Sequence, residues 1–310
     1  MKGTMFSRRD FILGAASLAA AAASAGGIQE GAGDPLVIAH CCDPQFGMGK
    51  PRDGVNVTAE GYANDLRRCE AEIEIINSIK PDLVFFAGDM THRADDVTRD
   101  WPRLLGKLKV PFAVSPGNHD VGDSLVGKWA DRFVSVFGSE YCARTVKGWR
   151  FIAGNSQYWF PTNETHRAGA YREWLDAELA DCRRSGARMI FGTHYPLFCT
   201  YIWEEDGKYL ECHRKEGREQ TFNDALDAGC RFWLSGHSHR LGVRAQQGMV
   251  LLNAETTCDN FDGRPFGFRL LKVWADGNYT WDFIPVITKQ QPQRKDDARW
   301  QTTMQTGASS

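Results

Sequence analysis

Short apolar runs alternate with longer amphipathic stretches along most of this chain. The runs at 36–39, 83–86, 112–114 and 150–153 read as buried strands, being brief, rich in branched and aromatic residues, and bounded by turn formers. Between them, apolar positions at helical spacing predict helices over 59–79, ending before Pro81, over 97–108 and over 125–137. The later half predicts a helix at about 170–184, a strand at 189–191, a helix at 219–228 and a strand at 232–234. Three further strands follow at 249–253, 267–273 and 279–284. Alternation of strand and helix, closing on a run of strands, predicts an α/β fold with mixed sheets.

The two ends break this pattern. Ser7-Arg8-Arg9-Asp10-Phe11-Ile12-Leu13 leads into an apolar run that reaches about Ala23, and Ala23-Ser24-Ala25 stands before Gly26, as in a cleavable export signal. The run falls short of the about 20 residues that span a bilayer. The paired arginines resemble the twin-arginine signal, which implies transient contact with the twin-arginine export machinery and a periplasmic or secreted product after cleavage near Ala25. The expected organisation is a signal peptide at 1–25, a Gly-rich linker at 26–34, one catalytic domain at 35–286 and a polar tail at 287–310.

Composition adds two constraints. A formal net charge of -2 gives no electrostatic basis for a nucleic-acid partner, so any phosphate recognition must be local. The nine cysteines are odd in number and show no disulfide framework, which predicts mostly reduced, buried thiols. Cys199 and Cys212, which flank an acidic and aromatic insertion, are the candidate pair for a bridge.

The chemistry sits at the strand ends. Asp43-Pro44-Gln45 follows the first run, Gly88-Asp89 the second, Gly117-Asn118-His119-Asp120 the third, Gly192-Thr193-His194 the strand at 189–191, and Gly236-His237-Ser238-His239 the strand at 232–234. In open α/β sheets the carboxyl ends of strands open onto the ligand crevice, so these five loops can converge. Carboxylate, imidazole and amide donors form a mixed oxygen and nitrogen set suited to divalent first-row metals rather than to a cysteine-rich structural zinc site. Two such metals need a bridging carboxylate, and can then hold a hydroxide in line with a phosphorus atom. Asp89 is the candidate bridge.

Taken in order, these motifs resemble the calcineurin-like metallophosphoesterase superfamily. The resemblance implies a four-layer α/β/β/α sandwich and two divalent metal ions, of Mn, Fe, Mg or Zn. It places Asp43, Gln45 and His239 on the first ion, Asn118, His194 and His237 on the second, and Asp89 on both. His119 would contact the phosphoryl group and protonate the leaving oxygen, with Asp120 as its candidate orienting partner. Cys42-Asp43-Pro44-Gln45-Phe46-Gly47 and His194-Tyr195-Pro196-Leu197-Phe198 further resemble a branch of Ser/Thr phosphatases, the family of calcineurin-like phosphoesterase domain-containing protein 1. Gln45 stands where the wider superfamily usually has histidine, which makes the first metal position oxygen-rich and favours Mn, Fe or Mg there over Zn. His92 stands where purple acid phosphatases have a ligating tyrosine, and Arg93 matches a phosphate-binding arginine of the large Ser/Thr phosphatases. Arg93 and Tyr158 are the candidate substrate contacts. The expected activity is hydrolysis of phosphate monoesters, on a small molecule or a phosphoprotein. A phosphodiesterase acting on nucleotides or lipid head groups, and a non-catalytic binding module on the same fold, are the alternatives.

Overall fold

The computed structural model describes residues 30–48, 59–206 and 212–288. The expected signal peptide at 1–25, linker residues 26–29 and nearly all of the expected tail at 287–310 lie outside these residues. Among the described residues no helix is long and apolar enough to cross a membrane.

Among the described residues eleven strands form two mixed sheets. The first runs β11-β10-β1-β2-β3, with β1 (Leu36–Cys41), β2 (Leu83–Phe86) and β3 (Phe112–Val114) parallel, and with β10 (Gly267–Val273) and β11 (Tyr279–Pro285) added antiparallel. The second runs β4-β5-β6-β7-β9-β8. In it β5 (Trp149–Ala153), β6 (Arg188–Gly192), β7 (Cys230–Ser235) and β9 (Met249–Asn253) are parallel, and antiparallel β4 (Cys142–Val146) and β8 (Gly242–Gln246) close the edges.

Strand periodicity explains the layering, because successive side chains point to opposite faces. Leu36, Ile38, Leu83 and Phe85 face Phe151, Ile190, Phe232 and Leu234 in a core between the sheets. The alternate residues Ala39, Cys41, Val84 and Phe86 pack outward against Ile73 and Ile76 of α1 (Ala59–Ile79), Trp101 and Leu104 of α2 (Val97–Lys107), and Phe133. A short α3 (Asn118–Val121) precedes α4 (Gly127–Phe137), which carries Phe133. On the far side Met189, Phe191 and Trp233 pack against Leu179 of α5 (Thr165–Ser185) and Phe222 of α6 (Lys215–Asp227). The result is the four-layer α/β/β/α sandwich, with the central parallel strands buried on both faces and the edge strands partly exposed.

The edge strands β4 and β8 escaped the hydrophobic reading because both are half-exposed and carry arginine in mid-strand, at Arg144 and Arg244. Their signal lies in the turns. Lys147-Gly148 and Gln247-Gly248 each join strands across two residues, and all four have positive φ, as a type I′ hairpin demands.

One buried group sets a pH dependence of stability. Glu72 of α1 is 1 % exposed, and neither of its carboxylate oxygens meets a hydrogen-bond partner among the described residues. Burial raises its carboxyl from 4.5 to about 8, opposed only in part by the Cys41 thiol beside it. A carboxyl raised on folding leaves stability intact below the unfolded value and removes it as pH climbs toward the folded one, at about 1.4 kcal/mol per pH unit. Glu72→Gln is therefore expected to gain stability over the wild type between pH 5 and pH 8. Urea midpoints at the two pH values check this. A variant-to-wild-type difference that is the same at both would refute it.

Candidate metal centre

All five motif loops leave the carboxyl ends of parallel strands on one side of the sandwich, and the backbone is bent to bring them together. Asp43, Gln45, Asp89, His237 and His239 all have φ between 36° and 66°. Left-handed backbone costs a non-glycine residue about 1–2 kcal/mol and concentrates at functional sites. Two glycines permit the close approach. A Cβ on Gly117 would strike the Asp89 carboxylate, and one on Gly236 would meet the Asp43 carboxylate.

Two donor groups result. Asp89, His194 and His237 offer ligand atoms within 4.8 Å of one another, and so do Asp43, Asp89 and His239. Asp89 belongs to both. Asn118 joins the first group, its Oδ1 lying 3.1 Å from His194 Nε2, and His237 Nδ1 lies 3.1 Å from the same nitrogen. Asp43 also accepts from the His237 backbone N–H at 3.0 Å, which ties the first loop to the last.

The histidine tautomers show what the cluster fits. His194 Nδ1 lies 2.7 Å from the Ala87 carbonyl and His239 Nδ1 lies 2.7 Å from the Asp259 carbonyl. A carbonyl only accepts, so both protons sit on Nδ1 and both Nε2 atoms present lone pairs. Burial keeps the rings neutral, lowering His194 to about 3 and His239 to about 4. Yet His194 Nε2 faces Asp89 Oδ1 at 3.5 Å, and His239 Nε2 faces Asp43 Oδ1 at 3.6 Å. Ring lone pairs aimed at carboxylate oxygens, with the ring protons turned away, are the complement of a cation. The carboxyls agree: burial first, then the charge of Asp89, pushes Asp43 and Asp120 well above the carboxylate range, which a bound dication reverses.

Gln45 sits at the second group in a specific orientation. Its Nε2 donates to Asp89 Oδ2 at 3.3 Å, while its Oε1 accepts from the Cys258 thiol at 3.7 Å. A half-turn of the amide exchanges the two atoms and presents oxygen to the Asp43, Asp89 and His239 cluster.

His119 is half-buried and held from behind. Its Nδ1 donates to the His92 carbonyl at 2.9 Å, and its ring stacks on the His92 imidazole at 4.7 Å. Asp120 was expected to orient this ring, but its two oxygens accept from the backbone N–H groups of Met90 and Gly117, both at 2.9 Å. Asp120 thus pins the second loop to the third, and the backbone of the third strand's neighbour, not a carboxylate, aims His119. Arg93 is exposed at the rim beside His92. The Tyr158 hydroxyl donates to Glu140 at 2.7 Å and its ring stacks on Tyr171 at 4.9 Å.

Several supporting residues carry no catalytic motif. Tyr195 packs on His237 at 3.9 Å between ring centroids, and half-exposed Phe261 stacks on His239 at 4.6 Å. Behind Gln45, Asp65 accepts from Gly47 N at 2.8 Å and pairs with Arg68, which also reaches the Thr257 carbonyl. The one sequence signal for this clamp is the i,i+3 spacing of Asp65 and Arg68.

Known proteins share both the sequence pattern and the fold. The sequence model of the calcineurin-like phosphoesterases matches residues 36–241. Serine/threonine-protein phosphatase CPPED1 of Pongo abelii is 28% identical over 248 residues, covering 76% of this chain and 79% of that one. A 3',5'-cyclic-nucleotide phosphodiesterase of Nostoc sp. is 24% identical over 239 residues, covering 72% of this chain and 82% of that one. Among solved structures, a dimetal phosphatase from Danio rerio superposes with a TM-score of 0.54 at 14% identity, over 82% of this chain and 100% of that one.

Proposed function

The chain belongs to the calcineurin-like phosphoesterase family and is a metal-dependent phosphoester hydrolase; on that premise we propose that it is a phosphomonoesterase built on a dinuclear site. The observation that carries the proposal is the sharing of Asp89 by two clusters of lone pairs. In this reading Asp43, Gln45 and His239 hold one ion, Asn118, His194 and His237 the other, and Asp89 both. When bound, the ions supply Lewis acidity, neutralising charge on the phosphoryl oxygens and activating water. Mn, Fe, Mg and Zn all suit such donors, with the amide of Gln45 favouring the harder ions at the first position.

The rest falls to the chain's own groups. With Nδ1–H committed to the His92 carbonyl, His119 Nε2 is the atom left to deliver a proton to the departing alkoxide. Asp120 keeps Asn118 and His119 in register with Asp89 through the two backbone bonds it accepts. Arg93, exposed beside His92, is the candidate contact for a phosphoryl oxygen or an anionic group of the substrate. Tyr158, its hydroxyl held by Glu140 at 2.7 Å, is the second candidate contact for substrate.

A second reading has its own support, since relatives named as cyclic-nucleotide phosphodiesterases match at 22% and 24% identity. Those matches are weaker than the phosphatase ones. Assays of metal-quantified protein on an aryl phosphate monoester and the matching bis-aryl diester decide between them. The monoester is expected to be turned over at least about tenfold more efficiently, a difference of about 1.4 kcal/mol in the barrier. Preference for the diester would move the assignment to the second reading. The N-terminal segment supports export by the twin-arginine route, and the exported product is expected to begin near Gly26; an N-terminal sequence retaining Arg8 and Arg9 on the exported protein would count against cleavage there.

A further inference from the structure

The nine cysteines all lie among the described residues, each as a thiol, and seven of them are buried. One pair stands apart from the site described above. The sulfurs of Cys199 and Cys212 and a carboxylate oxygen of Glu204 lie within 4.8 Å of one another. We propose that Cys199 and Cys212 form a disulfide bridge by exchange with a small disulfide, Cys199 attacking and Cys212 resolving.

The surrounding bonds hold the pair together without help from a cation. Glu204 is already engaged, its Oε1 accepting from Cys199 N at 2.6 Å and from the Cys212 thiol at 3.5 Å, and its Oε2 accepting from Thr200 N at 2.9 Å. Arg218 is fully buried and ties the segment from inside, donating to the carbonyls of Ile202, Glu204 and His213 at 3.2, 2.8 and 2.8 Å. The same guanidinium lies 3.5 Å from Cys212 Sγ. That guanidinium, paired with Asp206 at 3.1 Å, occupies the side of the Cys212 sulfur that a metal ion would need.

Accessibility sets the order of events. Cys199 is partly exposed and lines a cavity of about 250 Å³ with Pro196, Phe198, Thr200 and Arg240. Cys212 is only 7% exposed, and its hydrogen bond with Cys199, followed by burial, holds its thiol above the ordinary range. An incoming disulfide therefore meets Cys199 first. The Cys199 thiolate attacks one sulfur of the reagent, forming a mixed disulfide and releasing one thiolate. Cys212, giving up its proton, then attacks Cys199 Sγ and releases the second. Two protein thiols are oxidised and one external disulfide is reduced to two thiols. The bridge would join the segment leaving His194 to the segment entering α6.

The test uses the whole protein with oxidised glutathione as the probe. After oxidation, unfolding and alkylation, the wild type is expected to carry two fewer alkylated cysteines than the nine it carries when kept reduced, with Cys199 and Cys212 recovered in one cross-linked peptide. Cys212→Ser is expected to stop at a single glutathione adduct on Cys199, and Cys199→Ser to take none on Cys212. Full alkylation of the oxidised wild type overturns the bridge. A glutathione adduct on Cys212 in Cys199→Ser overturns the order of attack. A zinc equivalent bound by the wild type and lost in both serine variants overturns it in favour of a metal site.

Discussion

Asp89→Asn protein is expected to fold, to retain little metal, and to hydrolyse phosphate esters at least about 10³-fold more slowly than the wild type. Asparagine is the sharper substitution here than alanine. Position 89 has φ 51°, a conformation asparagine tolerates and alanine does not, so Asp89→Ala would mix backbone strain with loss of the ligand. Asparagine also keeps an oxygen for the His119 backbone N–H, which now sits 2.9 Å from Asp89 Oδ1. What it removes is the charge common to both donor clusters. Without metal that charge is a burden, because it pushes the buried Asp43 and Asp120 carboxyls upward. The metal-free variant should therefore be no less stable than the metal-free wild type. Elemental analysis, turnover and thermal unfolding in chelator separate the possibilities. Full metal content with lost activity would make Asp89 a catalytic group rather than a ligand, and an unfolded variant would make it structural.

His119→Ala is expected to behave in the opposite way, keeping its metal while turnover falls by about 10²–10⁴-fold on alkyl phosphates. Its ring contributes no atom to either donor cluster, and its Nδ1 is held by the His92 carbonyl. If Nε2 protonates the departing oxygen, the loss depends on how much that oxygen needs a proton. An alkyl phosphate should show the full effect and a nitrophenyl phosphate, whose leaving group departs unaided, only a small one. Equal losses on the two substrates would point to binding or positioning instead. Metal depletion in this variant would place His119 among the ligands.

The contrast between these variants follows the boundary of what the sequence makes legible. Ligand types placed directly after buried strands can be read without coordinates, because strand ends in such sheets share one face. Asp43, Asp89, His194, His237 and His239 are therefore recognisable as a set, and the structure brings them together. Their second partners are not recognisable. The carbonyls of Ala87 and Asp259 that fix the two histidine tautomers are backbone atoms, which no residue type announces. The same holds for His119, whose aim depends on the His92 carbonyl while Asp120, the obvious acidic neighbour, serves the backbone. Gln45 falls between these cases: its place in the site is readable, but which amide atom faces Asp89 is set by Cys258, far away in sequence. In the fold, the central strands β1, β2, β6 and β7 are hydrophobic enough to declare themselves. The edge strands β4 and β8 are specified by their two-residue turns instead.

In the proposed dinuclear site Asp89 lies between two ions. Manganese-reconstituted wild-type protein, desalted and examined by elemental analysis and electron paramagnetic resonance, tests it most directly, because a shared carboxylate brings two ions to about 3.5–4 Å. Two manganese ions per chain with an exchange-coupled spectrum are expected, with activity that rises with the second equivalent. One ion per chain in fully active protein, or two with the spectrum of isolated manganese, would contradict it.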